Sequence, residues 1–204
     1  MPERTAADRR PVLTVTTDEY RCESVAFSHD GSLLAIGKSN GMVGIWDLRT
    51  GRSVKHFLHD LRGGAVTAVI FSADDHLLAT GGADGHLKVR DLRTAKVILR
   101  RQHPAPIHAV AFDAIAELVV TACDDGALRV WTRRGRIQSQ LHGRCGPATR
   151  AVAVAPDGEV LTSDEAVTWS ADGRFAAVVT PDEVRVIGTG GRASPDSPPS
   201  RPET

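Results

Sequence analysis

The chain has 204 residues, of which 41% are apolar and 25% charged, as in a folded, water-soluble protein. Its net charge is zero and no apolar run approaches the roughly 18 residues of a membrane span, so neither nucleic acid nor a membrane is an expected partner. The three cysteines, Cys22, Cys123 and Cys145, are scattered and the N-terminus lacks an apolar signal core, so we expect a cytoplasmic protein with reduced thiols.

The N-terminal end divides into a polar segment and a short apolar run. Residues 1–10 are polar, so we expect them to be flexible. The run PVLTV, residues 11–15, fits one strand that would pair with the last part of the chain, near residues 166–187. Such a pairing covers an exposed sheet edge, so deletion of residues 1–16 is expected to promote oligomers and to lower the melting temperature.

One phrase occurs three times between residues 23 and 132, beginning with ESVAF, TAVIF and HAVAF. Equivalent positions in the three copies are separated by the same two intervals. Phe27, Phe71 and Phe112 are 44 and 41 residues apart, and the turns and the strand ends have the same spacings. A fainter fourth copy begins at Arg150. A fixed period near 40 residues indicates a repeated supersecondary unit. The predicted units cover about residues 22–57, 65–101, 107–141 and 149–187.

Each of the three clear units predicts four antiparallel strands. Val25 and Phe27 alternate with small neighbours, and this period of two is typical of a half-buried strand. A second apolar run leads to an Asn-Gly or Asp-Gly turn, which favours positive φ and therefore a hairpin. The third strand ends at Trp46, Arg90 or Trp131, and SVKHF, KVILRR and RIQSQL predict a fourth. Four antiparallel strands at this period are typical of a β-propeller blade.

The last part of the chain allows two interpretations. Val154 and Trp169 are 15 residues apart, where the clear units take 19 between equivalent positions, so residues 150–180 could form one compressed unit. Alternatively, a new unit begins at AVTWSADGRFAAVV, because Trp169 with the following SADG resembles Phe27 with the following SHDG. Residues 188–204 are rich in Gly, Pro and Ser without large apolar side chains, so we expect a disordered tail.

The units resemble the blades of the WD-repeat β-propeller family. The Trp-Asp pair of that family stands at Trp46-Asp47, while Arg90-Asp91 keeps the Asp and Trp131-Thr132 keeps the Trp. The resemblance covers about residues 11–187, most strongly 23–132. It implies an all-β chain of about four four-stranded blades, either a small closed ring or a partial arc of a larger propeller.

The resemblance also implies a buried hydrogen-bonded tetrad in the third unit, formed by His103, Thr121, Asp125 and Trp131. An imidazole, a hydroxyl and an indole N–H are suitable donors to a buried carboxylate, which is otherwise costly to desolvate. The second unit departs from this set, because Arg90 stands in the Trp position and His59 is displaced along the chain. We therefore expect the third unit to be the best ordered.

Three further patterns resemble chemical sites but fit structural roles better. SLLAIGKS, residues 32–39, resembles a phosphate-binding loop, but it lacks the first Gly and predicts a strand. His56 and His59 have a metal-like spacing without further ligands. The pairs Asp74-Asp75 and Asp124-Asp125 fall in repeated turns. We therefore predict no catalytic residue, cofactor or metal ion.

Repetition favours a non-enzymatic scaffold that binds another protein, because repeats create a broad rigid surface with variable loops. The alternative is a regulatory or sensor domain of a larger signalling enzyme, such as a kinase or a nucleotide-driven ATPase. Self-association is expected if the ring is open. The candidate partner-binding residues flank the hairpin turns and the starts of the first strands: Glu23, Ser39, Thr67, Ala83, His108 and Asp124.

Overall fold

A computed structural model describes residues 14–15, 20–60, 64–113, 117–142, 149, 151–154, 160–163, 166–169, 175–179 and 184–188. These residues form seventeen β-strands in five antiparallel sheets. In the described part of the chain, no helix is long and apolar enough to span a membrane. The prediction of an all-β chain is confirmed.

The sheets are numbered I to V in chain order, and in each sheet the strands lie side by side in chain order. Sheet I contains β1 (Cys22–Phe27), β2 (Leu33–Lys38), β3 (Met42–Asp47) and β4 (Arg52–Leu58). Sheet II contains β5 (Val66–Phe71), β6 (Leu77–Gly82), β7 (His86–Asp91) and β8 (Val97–Gln102). Sheet III contains β9 (Ile107–Phe112), β10 (Leu118–Cys123), β11 (Ala127–Thr132) and β12 (Ile137–His142). Sheet IV contains β13 (Ala151–Val154) and β14 (Val160–Ser163), and sheet V contains β15 (Ala166–Trp169), β16 (Phe175–Val179) and β17 (Val184–Gly188).

The hairpin between the second and third strands of sheets I–III turns on a glycine. Gly41, Gly85 and Gly126 have φ angles of 81°, 76° and 74°. Each donates its N–H to the carbonyl three residues earlier, over 3.2, 3.0 and 3.1 Å. A residue with a Cβ is strained at such φ values, so glycine after Asn or Asp sets the turn. The local pattern therefore determines where each hairpin reverses.

The chain after residue 149 forms two sheets, so its interpretation as one compressed unit is wrong. In sheet V, Thr168 pairs with Ala177, as Ala26 pairs with Ala35 in sheet I. The sequence SADG lies between β15 and β16 where SHDG lies between β1 and β2. The same strand-turn-strand signal therefore starts a new unit at β15, and β13 with β14 forms a separate two-stranded sheet.

Neighbouring sheets pack face to face through apolar clusters. One cluster around Phe71 joins sheets I and II, a second around Phe112 joins sheets II and III, and a third around Val152 joins sheets III and IV. The first strands β1, β5, β9, β13 and β15 follow one another as neighbours. We call the face of a sheet that points to the preceding sheet its leading face, and the opposite face its trailing face.

The described residues form a β-propeller in which no pairing among them closes the sheets into a ring. Thr14 and Val15 belong to no strand, and residues 11–13 lie outside the described residues. The predicted flexible residues 1–10 and nearly all of the predicted tail, residues 189–204, also lie outside them. The closing strand at residues 11–15 therefore stays a prediction.

Candidate functional site

Three members of the predicted tetrad of sheet III, His103, Thr121 and Trp131, form a chain of buried side chains. Trp131 Nε1 donates to Thr121 Oγ1 over 3.2 Å, and Thr121 Oγ1 lies 2.9 Å from His103 Nε2. The other ring nitrogen, Nδ1, lies 3.2 Å from the carbonyl of Gly85, which can only accept. The proton of His103 is therefore on Nδ1, and Nε2 accepts the hydroxyl proton of Thr121.

Asp125 was predicted to belong to this chain of hydrogen bonds, but it takes other partners. Its carboxylate accepts two hydrogen bonds from the Arg129 guanidinium, at 3.1 and 2.6 Å, and a third from the N–H of Ala127 at 3.1 Å. These donors lower the pKa of Asp125 and keep it ionised. Both nitrogens of His103 already have partners, so no donor remains on this ring for the carboxylate. Asp125 therefore forms an ion pair with Arg129 beside the network and is not its fourth member.

Burial keeps His103 neutral. Desolvation, followed by the positive charge of Arg129, lowers the pKa of His103 from 6.5 to about 4. A charged ring would donate at Nε2 and would turn the hydroxyl of Thr121 away from its present acceptor. In the neutral state of the imidazole, both ring nitrogens and the indole N–H have partners.

Sheet II contains a partial counterpart of this network that the sequence interpretation missed, in which the histidine meets the threonine through Nδ1 and its Nε2 is buried without a hydrogen-bond partner. His59 Nδ1 lies 2.8 Å from Thr80 Oγ1, and His59 Nε2 lies 3.5 Å from Asp84 Oδ1. Burial lowers the pKa of His59 to about 4. The expectation that His59 is displaced from its threonine is therefore wrong, while the Trp position of sheet II is occupied by Arg90, as the sequence indicates.

The sequence contained the signal for His59. The backbone N–H of His59 donates to the carbonyl of Gly41 over 2.7 Å, and that of His103 donates to Gly85 over 2.8 Å. Both histidines follow the turn glycine of the preceding sheet by 18 residues. The three extra residues of the second unit lie between His59 and β5, so they do not move the ring.

Arg90 occupies the Trp position of sheet II and uses different contacts. Its guanidinium lies over the ring of Phe57 with Cζ 4.2 Å from the centroid, and Nη1 donates to the carbonyl of Ala95 over 2.6 Å. Its Nε is buried without a hydrogen-bond partner in the structure. Burial lowers the pKa of Arg90. A stem that covers apolar surface and a cation-π contact replace the indole here.

The six candidate partner-binding residues come together at one end of sheets I–III, and we call this surface the hairpin rim. The backbone N–H groups of Ser39, Ala83 and Asp124 donate to the carbonyls of Arg21, Ala65 and Pro106 over 2.9, 2.9 and 3.0 Å. Each of these bonds ties a hairpin to the start of the first strand in the same sheet. The rim thus repeats one backbone geometry three times.

The rim residues differ in what their side chains can offer. Glu23 and Ala83 are exposed, and Ser39 is half-buried. His108 Nε2 lies 2.5 Å from Asp124 Oδ1 in a partly exposed pair. Thr67 instead donates its hydroxyl to main-chain carbonyls, at 3.1 Å to Gly81 in its own sheet and also to Ile107 of sheet III. Thr67 therefore joins sheets, and the other residues face solvent more directly.

An open cavity of about 380 Å³ adjoins the rim along the first strands. Its lining comes from β1, β5, β9, β13 and β15, and polar atoms form more than half of its exposed surface. Thr67 and His108 lie on this lining, so they connect the rim with the axis around which the sheets turn. The first strands of the propeller thus surround one shared concave surface.

The other chemical patterns have structural roles in the described residues. SLLAIGKS forms β2 with its flanking residues, and Lys38 is buried. His56 contacts Ser53 and the edge of Trp46, away from the partners of His59. No group of three or more His, Cys, Asp or Glu side chains in the described ranges could hold a metal ion.

Comparison with known proteins agrees with the fold. A search of the curated proteins finds no match. The family model described as Nucleolar protein 10-like, N-terminal domain, a β-propeller, matches residues 12–171, which extends from before β1 to beyond β15. The resemblance to repeat β-propellers is thereby confirmed. Because most of the chain is matched, the protein belongs to the family of Nucleolar protein 10-like N-terminal β-propeller domains.

Proposed function

We propose that this propeller is a non-enzymatic scaffold that binds another protein through the hairpin rim. The observation that carries the proposal is the threefold repetition of one backbone geometry at the rim, with bonds of 2.9, 2.9 and 3.0 Å. A surface held by repeated main-chain bonds is rigid, while its side chains differ from sheet to sheet. Such a surface binds with little ordering cost, which favours protein recognition.

The exposed side chains indicate what the partner meets. Glu23 is exposed, and the His108–Asp124 pair is partly exposed, with side-chain exposures of 31% and 40%. The open cavity, with its mixed polar and apolar surface, lies next to this pair. Non-obligate protein interfaces are about as polar as the rest of a protein surface. We propose that the partner covers this cavity and makes polar contacts at Glu23 and Asp124.

The carboxylates support a non-enzymatic role. Asp74 accepts from Ser72 Oγ at 2.6 Å and from the N–H of His76 at 3.1 Å, and these bonds lower its pKa. Asp75 accepts from the backbone N–H groups of His29 and Asp30 of sheet I at 2.6 and 3.0 Å. A general acid needs a raised carboxyl pKa. The turn carboxylates Asp74 and Asp125 are instead stabilised as anions.

A quantitative pull-down tests the proposal. The tagged chain and its Asp124→Arg variant are incubated with native lysate, and bound proteins are measured by mass spectrometry. We expect at least one protein to be retained by the wild type and reduced about tenfold by Asp124→Arg, equal to about 1.4 kcal/mol of binding free energy. The matched control is Glu117→Arg, which reverses an exposed charge outside the rim.

Two results would contradict the proposed rim. Equal losses in the Asp124→Arg and Glu117→Arg samples mean that net charge, and not the rim, governs retention. Retention of every bound protein by both variants means that partners use another surface. We also propose a cytoplasmic location, which fluorescence microscopy of a tagged chain in the native host tests.

A further inference from the structure

An open groove of about 390 Å³ lies between β8 and the leading face of sheet III. Its lining consists of Ile98 on β8, Glu117 just before β10, and Arg133 and Arg134 in the turn between β11 and β12. This turn and the β10–β11 hairpin join opposite ends of β11, so the groove lies at the other end of the strands from the hairpin rim. The sequence interpretation assigned no role to these four residues.

Arg133 occupies a position that is leucine in the other two units. Leu48, Leu92 and Arg133 each donate their backbone N–H to the residue that precedes the second strand of their own sheet, over 2.8, 2.9 and 2.7 Å, so their positions are equivalent. Leu92 is 7% exposed and belongs to the apolar cluster that joins sheets I and II. The side chain of Arg133 is 48% exposed. Sheet III therefore places a charge at the junction with its neighbour where sheet II packs a buried leucine.

The turn between β11 and β12 also lacks the carboxylate of the other two turns. Asp47 and Asp91 each accept a backbone N–H of their turn over 2.8 Å, whereas in sheet III the hydroxyl of Thr132 accepts one over 3.1 Å. Each of the first two turns has two basic residues and one Asp, and the third has three Arg and no acid. The formal charges are therefore +1, +1 and +3 for residues 47–52, 91–96 and 132–136.

Glu117 only partly balances this positive charge. Its Oε1 lies 3.8 Å from Arg133 Nη1, and the carboxylate and the guanidinium are both well exposed. The distance is longer than a hydrogen bond, and an exposed ion pair of this kind contributes little. Each guanidinium of the groove can therefore donate two parallel hydrogen bonds to a carboxylate brought by a ligand.

Ile98 favours an acidic peptide over a nucleic acid as that ligand. Ile98 is 40% exposed and shares the groove with the two cations. A peptide can pack an apolar side chain on Ile98 while its carboxylates meet the arginines. Single-stranded nucleic acids instead stack their bases on aromatic side chains, and none of the four lining residues is aromatic. The carboxylate of Glu117 would also repel a phosphate backbone.

We propose that this groove binds an acidic segment of another protein. The carboxylates of the segment pair with Arg133 and Arg134, and one of its apolar side chains packs on Ile98. The groove and the hairpin rim lie at opposite ends of the strands, so the propeller can hold one protein segment at each. This proposal is therefore independent of partner binding at the rim.

Fluorescence anisotropy with a defined peptide tests the groove. The probe is a labelled peptide with one leucine between two short runs of glutamate, and the control peptide has glutamine in place of every glutamate. The full chain should bind the probe, and more weakly as the salt concentration rises. Arg133→Glu and Arg134→Glu should each weaken binding at least about tenfold. The matched control is Arg93→Glu, since Arg93 is exposed and follows Leu92 as Arg134 follows Arg133.

Two further variants separate binding from folding, which circular dichroism checks in every variant. Arg133→Leu restores the residue of the other two units, so it should keep the fold and still weaken binding about tenfold. Glu117→Gln removes the competing carboxylate and should tighten binding about two- to fivefold, a gain that misfolding does not produce.

Four results would overturn the proposal. They are no binding of the probe up to about 1 mM, equal binding of the glutamine peptide, equal weakening by Arg93→Glu, and undiminished binding by Arg133→Glu. A single-stranded RNA of similar length that binds more tightly than the probe, with the same dependence on Arg133, indicates a nucleic-acid site and overturns it as well.

Discussion

Replacement of Thr121 by valine tests the buried network of sheet III. Thr121 is fully buried, and its hydroxyl serves two side chains: it accepts from Trp131 Nε1 at 3.2 Å and donates to His103 Nε2 at 2.9 Å. Valine has nearly the same shape without the hydroxyl. The substitution therefore leaves the indole N–H and the imidazole nitrogen buried without partners, and it opens no cavity.

The expected cost follows from these two groups. Each buried polar atom that loses its partner costs about 1–3 kcal/mol, and a small relaxation of the rings recovers part of it, so we expect Thr121→Val to lower the free energy of unfolding by about 2–4 kcal/mol. This approaches the roughly 3–5 kcal/mol expected for Trp131→Ala, which removes a large core side chain. Thr121→Ser keeps the hydroxyl and loses one methyl, so its cost should be about 1 kcal/mol.

Sheet II supplies a matched comparison. Thr80 contacts one ring, His59, at 2.8 Å, because the Trp position is occupied by Arg90. Thr80→Val therefore strands one side-chain partner, and it should cost about 1–3 kcal/mol, less than Thr121→Val. Urea unfolding followed by circular dichroism measures both values, and Thr121→Val should shift the midpoint by about 1–2 M. A Thr121→Val midpoint equal to wild type, or a larger loss for Thr80→Val, refutes this account.

Three further predictions concern charge, pH and nucleotide. Asp125→Ala should destabilise the chain by more than Asn40→Ala, because Asp125 accepts two guanidinium bonds and Asn40 only a backbone N–H; comparable urea midpoints contradict this ranking. His59 and His103 titrate near 6.5 when unfolded but at about 4 when folded, so the unfolded chain binds more protons below pH 6.5. The free energy of unfolding should therefore fall from pH 6.5 towards pH 4, by at most about 1.4 kcal/mol per pH unit for each histidine. Urea melts at several pH values measure this slope. If the slope is unchanged in a variant with both histidines replaced by glutamine, the pH dependence does not come from His59 and His103. Calorimetry should detect no ATP binding, because Lys38 is buried in a strand; micromolar binding that Lys38→Ala abolishes shows the opposite.

The local pattern was sufficient for the individual sheets. The alternation of side chains and the Asn-Gly and Asp-Gly turns act over a few residues, so the strands of sheets I–III could be predicted from short segments. The spacing of 18 residues between Gly41 and His59 also predicts the network of sheet II, once the turn glycine is taken as the reference. Counting back from the first strand of the unit gave the wrong position for His59, because the extra residues lie between His59 and β5.

The site needed the tertiary structure. Asp125 matched the family pattern by position, but Arg129, four residues later on β11, binds its carboxylate, and a bidentate ion pair is stronger than a bond to a neutral imidazole. Thr67 likewise matched the other rim positions, although its hydroxyl bonds to carbonyls of two sheets. Which partner a polar side chain takes depends on the folded geometry, both for a group near in sequence, as Arg129 is to Asp125, and for one distant in sequence, as Ile107 is to Thr67.

The repeat by itself determined the β-propeller units, because strand alternation and glycine turns are properties of each segment alone. It assigned the same role to Phe27, Phe71 and Phe112, since each occupies the same place in its unit. Only the tertiary structure decided that Phe71 and Phe112 are buried and that Phe27 is 66% exposed. The physical reason is that burial of a strand's apolar face depends on whether a neighbouring sheet covers it, and no local pattern encodes that neighbour.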